Sequence, residues 1–241
     1  AKVVTAWNGM MITALARAGK ALNKEQYTMA AENTAEFLWQ THYKATSDKP
    51  VLWRASLNGR PSVVATQLDY AYLAQAYVVL FDITKDKKWL TRSKLLVADM
   101  IRLFWDKQDG SFFMTALVAE NEQEVPLFDR PRDIYDGAIP SGNALALEVL
   151  SQLYYRTGND YYHAKAMAMI ASLSSIIKTN PVSFAYFLMA VNQFNFGELG
   201  DIQYGAKGHI RLEKKQGSQK KNTINADINI TIDKGWHINS R

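Results

Sequence analysis

Asp69 and Asp136 are the side chains of this sequence whose type and surroundings best suit acid–base work. Asp69 lies in Thr66-Gln67-Leu68-Asp69-Tyr70. Asp136 lies in Arg130-Pro131-Arg132-Asp133-Ile134-Tyr135-Asp136-Gly137-Ala138-Ile139-Pro140-Ser141-Gly142-Asn143. A third unusual stretch, Thr5-Ala6-Trp7-Asn8-Gly9, opens the chain. Two carboxyls, one kept protonated as general acid and one ionised as base or nucleophile, are what glycosidic cleavage needs. Asp69 and Asp136 are the expected pair, with Asp133 in reserve. Trp7, Tyr70 and Tyr135 offer rings for the apolar face of a sugar, and Asn8, Arg132, Asp133 and Asn143 offer partners for its hydroxyls.

Each of these residues also has a structural reading. Thr66-x-x-Asp69 has the form of a capping box with Asp in place of Glu, so Asp69 reads equally as a cap. Asn8 and Ser141 read as N-caps. Asp136-Gly137 and Pro140-Ser141-Gly142 read as tight turns, and Asp129, Arg130, Arg132 and Asp133 as a surface ion-pair network. A common location would favour the functional reading over the structural one.

Other chemistries lack their residues. Cysteine is absent, which removes thiol catalysis, disulfides and thiolate metal sites. His42 and His163 fall on one class of helix and His209 and His237 in the C-terminal tail, so no pair has metal-ligand spacing and no metal site is expected. No glycine-rich phosphate loop occurs, and no cofactor is expected.

Helical segments must position the three stretches. Met10 to Leu22, Leu68 to Ile83 and Ala144 to Thr157 are apolar almost all round. Lys24 to Gln40, Asp86 to Trp105 and Asp160 to Lys178 alternate with them and are polar on one side. A helix apolar all round is buried, whereas a one-sided helix faces water. The order is therefore inner, outer, inner, outer. Inner-to-outer turns are short, and Asn23 with Gln26 reads as a capping box. Outer-to-inner connections are long, about Thr41 to Ala65 and about Lys107 to Pro140. Strand-like Pro50-Val51-Leu52-Trp53-Arg54 and Gly110-Ser111-Phe112-Phe113-Met114 predict hairpin pieces within them. A seventh helix is predicted from Pro181 to Asn195, with Asn180-Pro181 as N-cap and N1.

The fold class is thus all-α, a toroid of (α/α) helical hairpins over residues 1–197, incomplete because a six-hairpin ring needs twelve helices. Inner helices in such an array run parallel, so every long connection meets one rim. The missing half of the ring is expected from an upstream segment of the polypeptide or from a partner chain.

Bulk properties agree with a globular domain. Hydrophobic residues make up 48% and charged residues 21%, and no apolar run reaches the ~18 residues that span a bilayer, so no membrane partner is expected. Ala1-Lys2-Val3-Val4 lacks the pattern of a secretory leader, and the early first helix reads as a start inside a longer polypeptide. The net charge is +5, and from Asp201 onward eight Lys/Arg stand against four Asp/Glu. This basic tail reads as a solvated extension, and nucleic acid is not an expected partner.

Val4-Thr5-Ala6-Trp7-Asn8-Gly9, Leu68-Asp69-Tyr70-Ala71, Phe104-Trp105-Asp106 with Gly110-Ser111-Phe112-Phe113, and Tyr135-Asp136-Gly137-Ala138-Ile139-Pro140-Ser141-Gly142-Asn143 resemble, in order and spacing, the C-terminal helical domain of the YyaL family. This family of thioredoxin-domain-containing proteins includes spermatogenesis-associated protein 20. The resemblance covers roughly Ala1 to Phe196. It implies a six-hairpin, glycosidase-like toroid preceded by a thioredoxin-like domain and by earlier hairpins. Related N-acylglucosamine 2-epimerases use histidines in the central cavity, and this chain places none there.

Residues 198–241 depart from that pattern. Ile224 to Ile232 alternates with period two, as a half-buried strand does, and Lys214 to Asn222 reads as a polar loop. With Gly235-Trp236-His237-Ile238-Asn239, the segment resembles the start of the immunoglobulin-like domain of DsbD-type thiol-disulfide interchange proteins. Two functions follow from the whole reading. One is binding or processing of a glycan or small-molecule ligand at the rim. The other is a non-catalytic scaffold serving a thioredoxin-like module, which predicts Asp69 bonded to backbone amides.

Overall fold

A computed structural model describes residues 2–44, 50–116, 130–196, 202–203, 208–213 and 227–232. The chain begins with strand β1 (Lys2–Val4), which runs directly into helix α1 (Thr5–Ala21); α2 (Glu25–Thr41) folds back against α1. β2 (Tyr43–Lys44), β3 (Val51–Leu57) and β4 (Arg60–Val64) occupy the connection to α3 (Gln67–Thr84), which pairs with α4 (Lys87–Phe104). After the second long connection, α5 (Gly142–Thr157) pairs with α6 (Asp160–Thr179), and a 3-10 turn at Pro181–Phe184 leads into α7 (Ala185–Phe196). The chain divides into two compact units, residues 1–191 and 192–241.

The alternation of helix character has the expected consequence. Every residue of α5 from Gly142 to Leu153 is buried, and α3 is buried from Asp69 to Leu80. Helices α1, α3 and α5 lie side by side. α4 and α6 are buried on one side only: in α6 the buried Tyr162, Ala166, Met169 and Leu173 keep helical spacing. At the C-terminal ends of α3 and α5 a two-pronged ion pair joins Arg156 to Asp82, with Nε–Oδ1 at 2.8 Å and Nη2–Oδ2 at 2.5 Å.

Two local details differ from expectation. α1 starts five residues before Met10, so Trp7 and Asn8 lie inside its first turn rather than in a preceding loop. The N-cap is Val4, which has no side-chain acceptor; Asn8 Nδ2 instead donates to the Val4 carbonyl at 2.8 Å. The acceptor that permits the early start comes from another helix, as shown below. The Asn23–Gln26 box also does not form, because Asn23 takes the left-handed conformation (φ 51°) that reverses the chain, and Lys24 donates back to the Gly19 carbonyl at 2.8 Å.

β3 is the hub of a four-stranded antiparallel sheet, flanked by β1 and β4, with β2 on its first half. Asn58 (φ 50°) and Gly59 (φ 75°) make the two-residue turn between β3 and β4. Gly110 to Met114 contributes less than a hairpin, a single bridge between Trp105 and Phe112 whose rings meet edge to face at 4.9 Å. In the second unit β5 (Ile202–Gln203), β6 (Gly208–Glu213) and β7 (Asp227–Ile232) form an antiparallel sheet, so the period-two pattern does become a strand. The loop predicted from Lys214 to Asn222 and the Gly235-to-Asn239 motif lie outside the described residues.

Candidate ligand-binding rim

The N-termini of α1, α3, α5 and α7 are tied together by three side chains. Asp69 serves α1 and α3 at once. Its Oδ1 accepts from the Ala6 amide at 3.2 Å, and its Oδ2 accepts from the Thr66 amide at 2.9 Å and the Thr66 hydroxyl at 3.0 Å. Gln67 reaches from α3 to α5, donating from Nε2 to the Gly142 carbonyl at 2.9 Å. Asp136 joins α5 to α7: Oδ1 accepts from the Ser141 amide at 2.9 Å, and Oδ2 accepts from the Tyr186 and Phe187 amides at 2.8 and 3.1 Å. Parallel inner helices thus present their amide ends, and their positive dipole ends, to one rim.

Carboxylates answer that charge. Asp69 is only 2% exposed; burial pushes its pKa up, and the Thr66 hydrogen bonds pull against it. Asp133 accepts from the Gly142 amide at 2.8 Å. Burial raises its pKa, the Gly142 amide opposes, and the neighbouring Asp136 charge adds to the rise. A Cβ on Gly142 would lie 2.0 Å from Gln67 Oε1, so a larger residue here would displace the Gln67 amide that donates to the Gly142 carbonyl. Ser141 is the N-cap of α5, its hydroxyl accepting from the Ala144 amide at 3.2 Å.

The other sequence-predicted residues divide between core and surface. Tyr70 is buried, its hydroxyl accepting from the Leu52 amide at 3.2 Å and its ring 5.4 Å from that of Phe104. Asn143 is fully buried and pins the Phe112 strand piece: Oδ1 accepts from the Phe112 amide at 2.9 Å, and Nδ2 donates to the carbonyls of Phe112 and Asp133 at 3.0 and 2.9 Å. Arg132 pairs with Asp106 at 2.5 Å and Asp109 at 2.8 Å, not with Asp133 as the sequence suggested, because Asp133 is committed to α5. Asp129 lies outside the described residues. Tyr135 is 52% exposed beside Phe184, and Trp7 is 67% exposed. Trp7 shares a stripe with Met11, Ala14 and Ala18, opposite Gly9, where α1 meets the backbone of Tyr72 on α3. Its ring therefore lies on the outer edge of α1, away from α3. Buried His42 is fixed by Thr5 at 2.7 Å and Ser56 at 2.9 Å.

A polar network that the sequence reading passed over lies deeper along the inner helices. Glu148 Oε2 accepts from Gln75 Nε2 at 2.6 Å and the Tyr186 hydroxyl at 2.7 Å, and its Oε1 accepts from Gln152 Nε2 at 3.1 Å. Tyr72 stands in the field of Asp133, Asp136 and Glu148, and burial first, then these charges, push its pKa up to about 12. The signal was present, since Glu148 is the lone acid of α5 and the helix's one charged residue before Arg156.

No family model matches the chain. Over 199 residues, 79% of its length, it is 28% identical to spermatogenesis-associated protein 20 of Rattus norvegicus and 27% identical to that of Homo sapiens. It spans about a quarter of the length of these relatives, 24% and 25%. Among solved structures, a GH76 α-mannanase of Bacteroides thetaiotaomicron is 16% identical, with a TM-score of 0.58 over 72% of this chain and 45% of its own. A cellobiose 2-epimerase of Spirochaeta thermophila is 17% identical, with a TM-score of 0.56 over 72% of this chain and 43% of its own. The chain is thus similar in sequence to spermatogenesis-associated protein 20 over 79% of its own length, and its fold is the glycosidase-like α/α toroid of these structural neighbours.

Proposed function

We propose that this chain is the ligand-binding part of a glycosidase-like toroid, and that its ligand is carbohydrate-type, held on the inner side of the rim where α1, α3, α5 and α7 begin. The convergence of four helix N-termini on that rim carries the reading, since it brings segments over a hundred residues apart within reach of one molecule. The structural neighbours include mannanases and an epimerase, and a Salegentibacter mannanase among them was solved with α-1,6-mannotriose.

The geometry favours binding over turnover by Asp69 and Asp136. Both carboxyls hold backbone amides, which keeps them in place and occupies the oxygens a substrate would need. The mannanase of Salegentibacter is inactive when two consecutive aspartates are replaced, and this chain has no two consecutive aspartates. Titration of the full protein with α-1,6-mannotriose and cellobiose, followed by NMR, tests the reading. Binding at about millimolar affinity or tighter, weakened by Tyr135→Ala, is the expected outcome. A folded protein that binds neither sugar refutes it.

The bonding of Asp69 to amides favours a second reading, a non-catalytic scaffold for a thioredoxin-like module. It predicts no sugar binding and a measurable affinity for such a domain. Under either reading the exposed edge of α1 calls for cover by further hairpins, from the same polypeptide or a partner chain.

A further inference from the structure

Three inner helices each send one polar side chain to a common locus below the rim: Gln75 from α3, Glu148 from α5 and Tyr186 from α7. Gln75 Nε2 and the Tyr186 hydroxyl both reach Glu148 Oε2, and they lie 3.3 Å from each other. Arg17 is near enough for its charge to bear on the Tyr186 phenol. On α5, Glu148, Gln152 and Tyr155 follow helical spacing along one stripe, which ends at Tyr155, 38% exposed. The remaining sides of α5 pack against α3 and α6.

Helix packing alone gives no reason for this chemistry. Burying a carboxylate carries a desolvation cost that leucine at the same position would not. One atom also remains unexplained. Gln152 is only 4% exposed; its Nε2 donates to Glu148, and its Oε1 has no partner. Turning the amide round would set oxygen against carboxylate, so Glu148 fixes the orientation that leaves Oε1 bare. Buried acceptors are paired in nearly all proteins, and an exception calls for an absent partner.

We infer that Gln152 Oε1, the Tyr186 hydroxyl and the Arg17 guanidinium form a subsite for the hydroxyls of a neutral sugar, with Glu148 as the positioning residue that holds Gln152 and Tyr186. Adjacent sugar hydroxyls both donate and accept. One donates to Gln152 Oε1, and its neighbour accepts from Arg17 while Tyr186 closes the site. This subsite rests on the carbohydrate reading above and places that ligand about three helical turns along α1 and α5 from the rim.

The test compares wild type with Gln152→Leu and Arg17→Met in the full protein, titrated with α-1,6-mannotriose, cellobiose and methyl mannoside. The subsite predicts an affinity loss of about tenfold or more in each variant. Gln152→Leu also takes from Glu148 Oε1 the Nε2 donor it accepts from, so a lower melting temperature is expected in any case and affinity decides the role. A purely structural Gln152 predicts that lower stability at unchanged affinity. Arg17 is exposed, so Arg17→Met reports on the ligand even if Gln152→Leu folds poorly. Wild-type affinity in both variants overturns the subsite and leaves a sugar site at the rim. Absence of binding to any of the three sugars by folded wild type overturns both.

Discussion

Asp69 shows how a residue suited to catalysis by type can be committed to structure by position. Its two oxygens take three donors from two helix starts, so Asp69→Ala removes two caps and leaves buried amides unpaired. The expected loss is about 3 kcal/mol, measured by chemical denaturation, with Asp69→Asn retaining part of it. A change under about 0.5 kcal/mol would show that the caps do not matter. Asp133 gives a pH signature. Its folded pKa lies above the ordinary 3.8, so its neutral form is the one the fold favours. That contribution is complete below 3.8 and is lost as pH rises through the raised value. Asp133→Asn stays neutral and can still accept from Gly142. Its melting temperature relative to wild type should therefore climb as pH rises from about 3 toward neutrality. A pH-independent difference would contradict the shift.

At the scale of elements, Gly9 is where α1 meets the backbone of α3. A Cβ on Gly9 would stand 3.0 Å from the backbone carbon and oxygen of Tyr72, against rigid main chain rather than a side chain that can turn away. Gly9→Ala should push α1 from α3 at a cost of about 2 kcal/mol and loosen the Ala6–Asp69 bond. Amide hydrogen exchange at Ala6 would register this, and unchanged protection would count against the close-packed contact. The helices themselves were legible from composition, because apolar-all-round and one-sided segments differ over about 15 residues. Their boundaries were less so. The early start of α1 depends on a carboxylate 63 residues away, and the left-handed Asn23 is set by chain reversal rather than by its own side chain.

For the whole molecule, the open edge of α1 is the feature that this chain does not resolve internally. Trp7 and Met11 lie on an exposed helical stripe, while the neighbouring mannanase has more than twice the span matched here. Met11→Lys should leave the stability of this chain within about 0.5 kcal/mol of wild type, as an exposed substitution does. In a longer polypeptide or complex that covers the edge, the same change should cost about 2 kcal/mol or more by burying a charge. Equal effects in both settings would mean that the edge stays bare.

The sequence by itself determined which segments are helices and which of them are inner, and it offered Thr66 to Asp69 and Ser141 as caps of helix starts, because each depends on neighbours within a turn or two. Only the tertiary structure decided what Asp69, Asp133 and Asp136 do. Their partners lie on other helices, and whether a carboxylate meets amides or solvent is fixed by where those helices end. The Glu148 network belongs to the same class: a lone acid in an apolar helix is visible in the sequence, but its donors on α3 and α7 exist only once the hairpins are laid side by side.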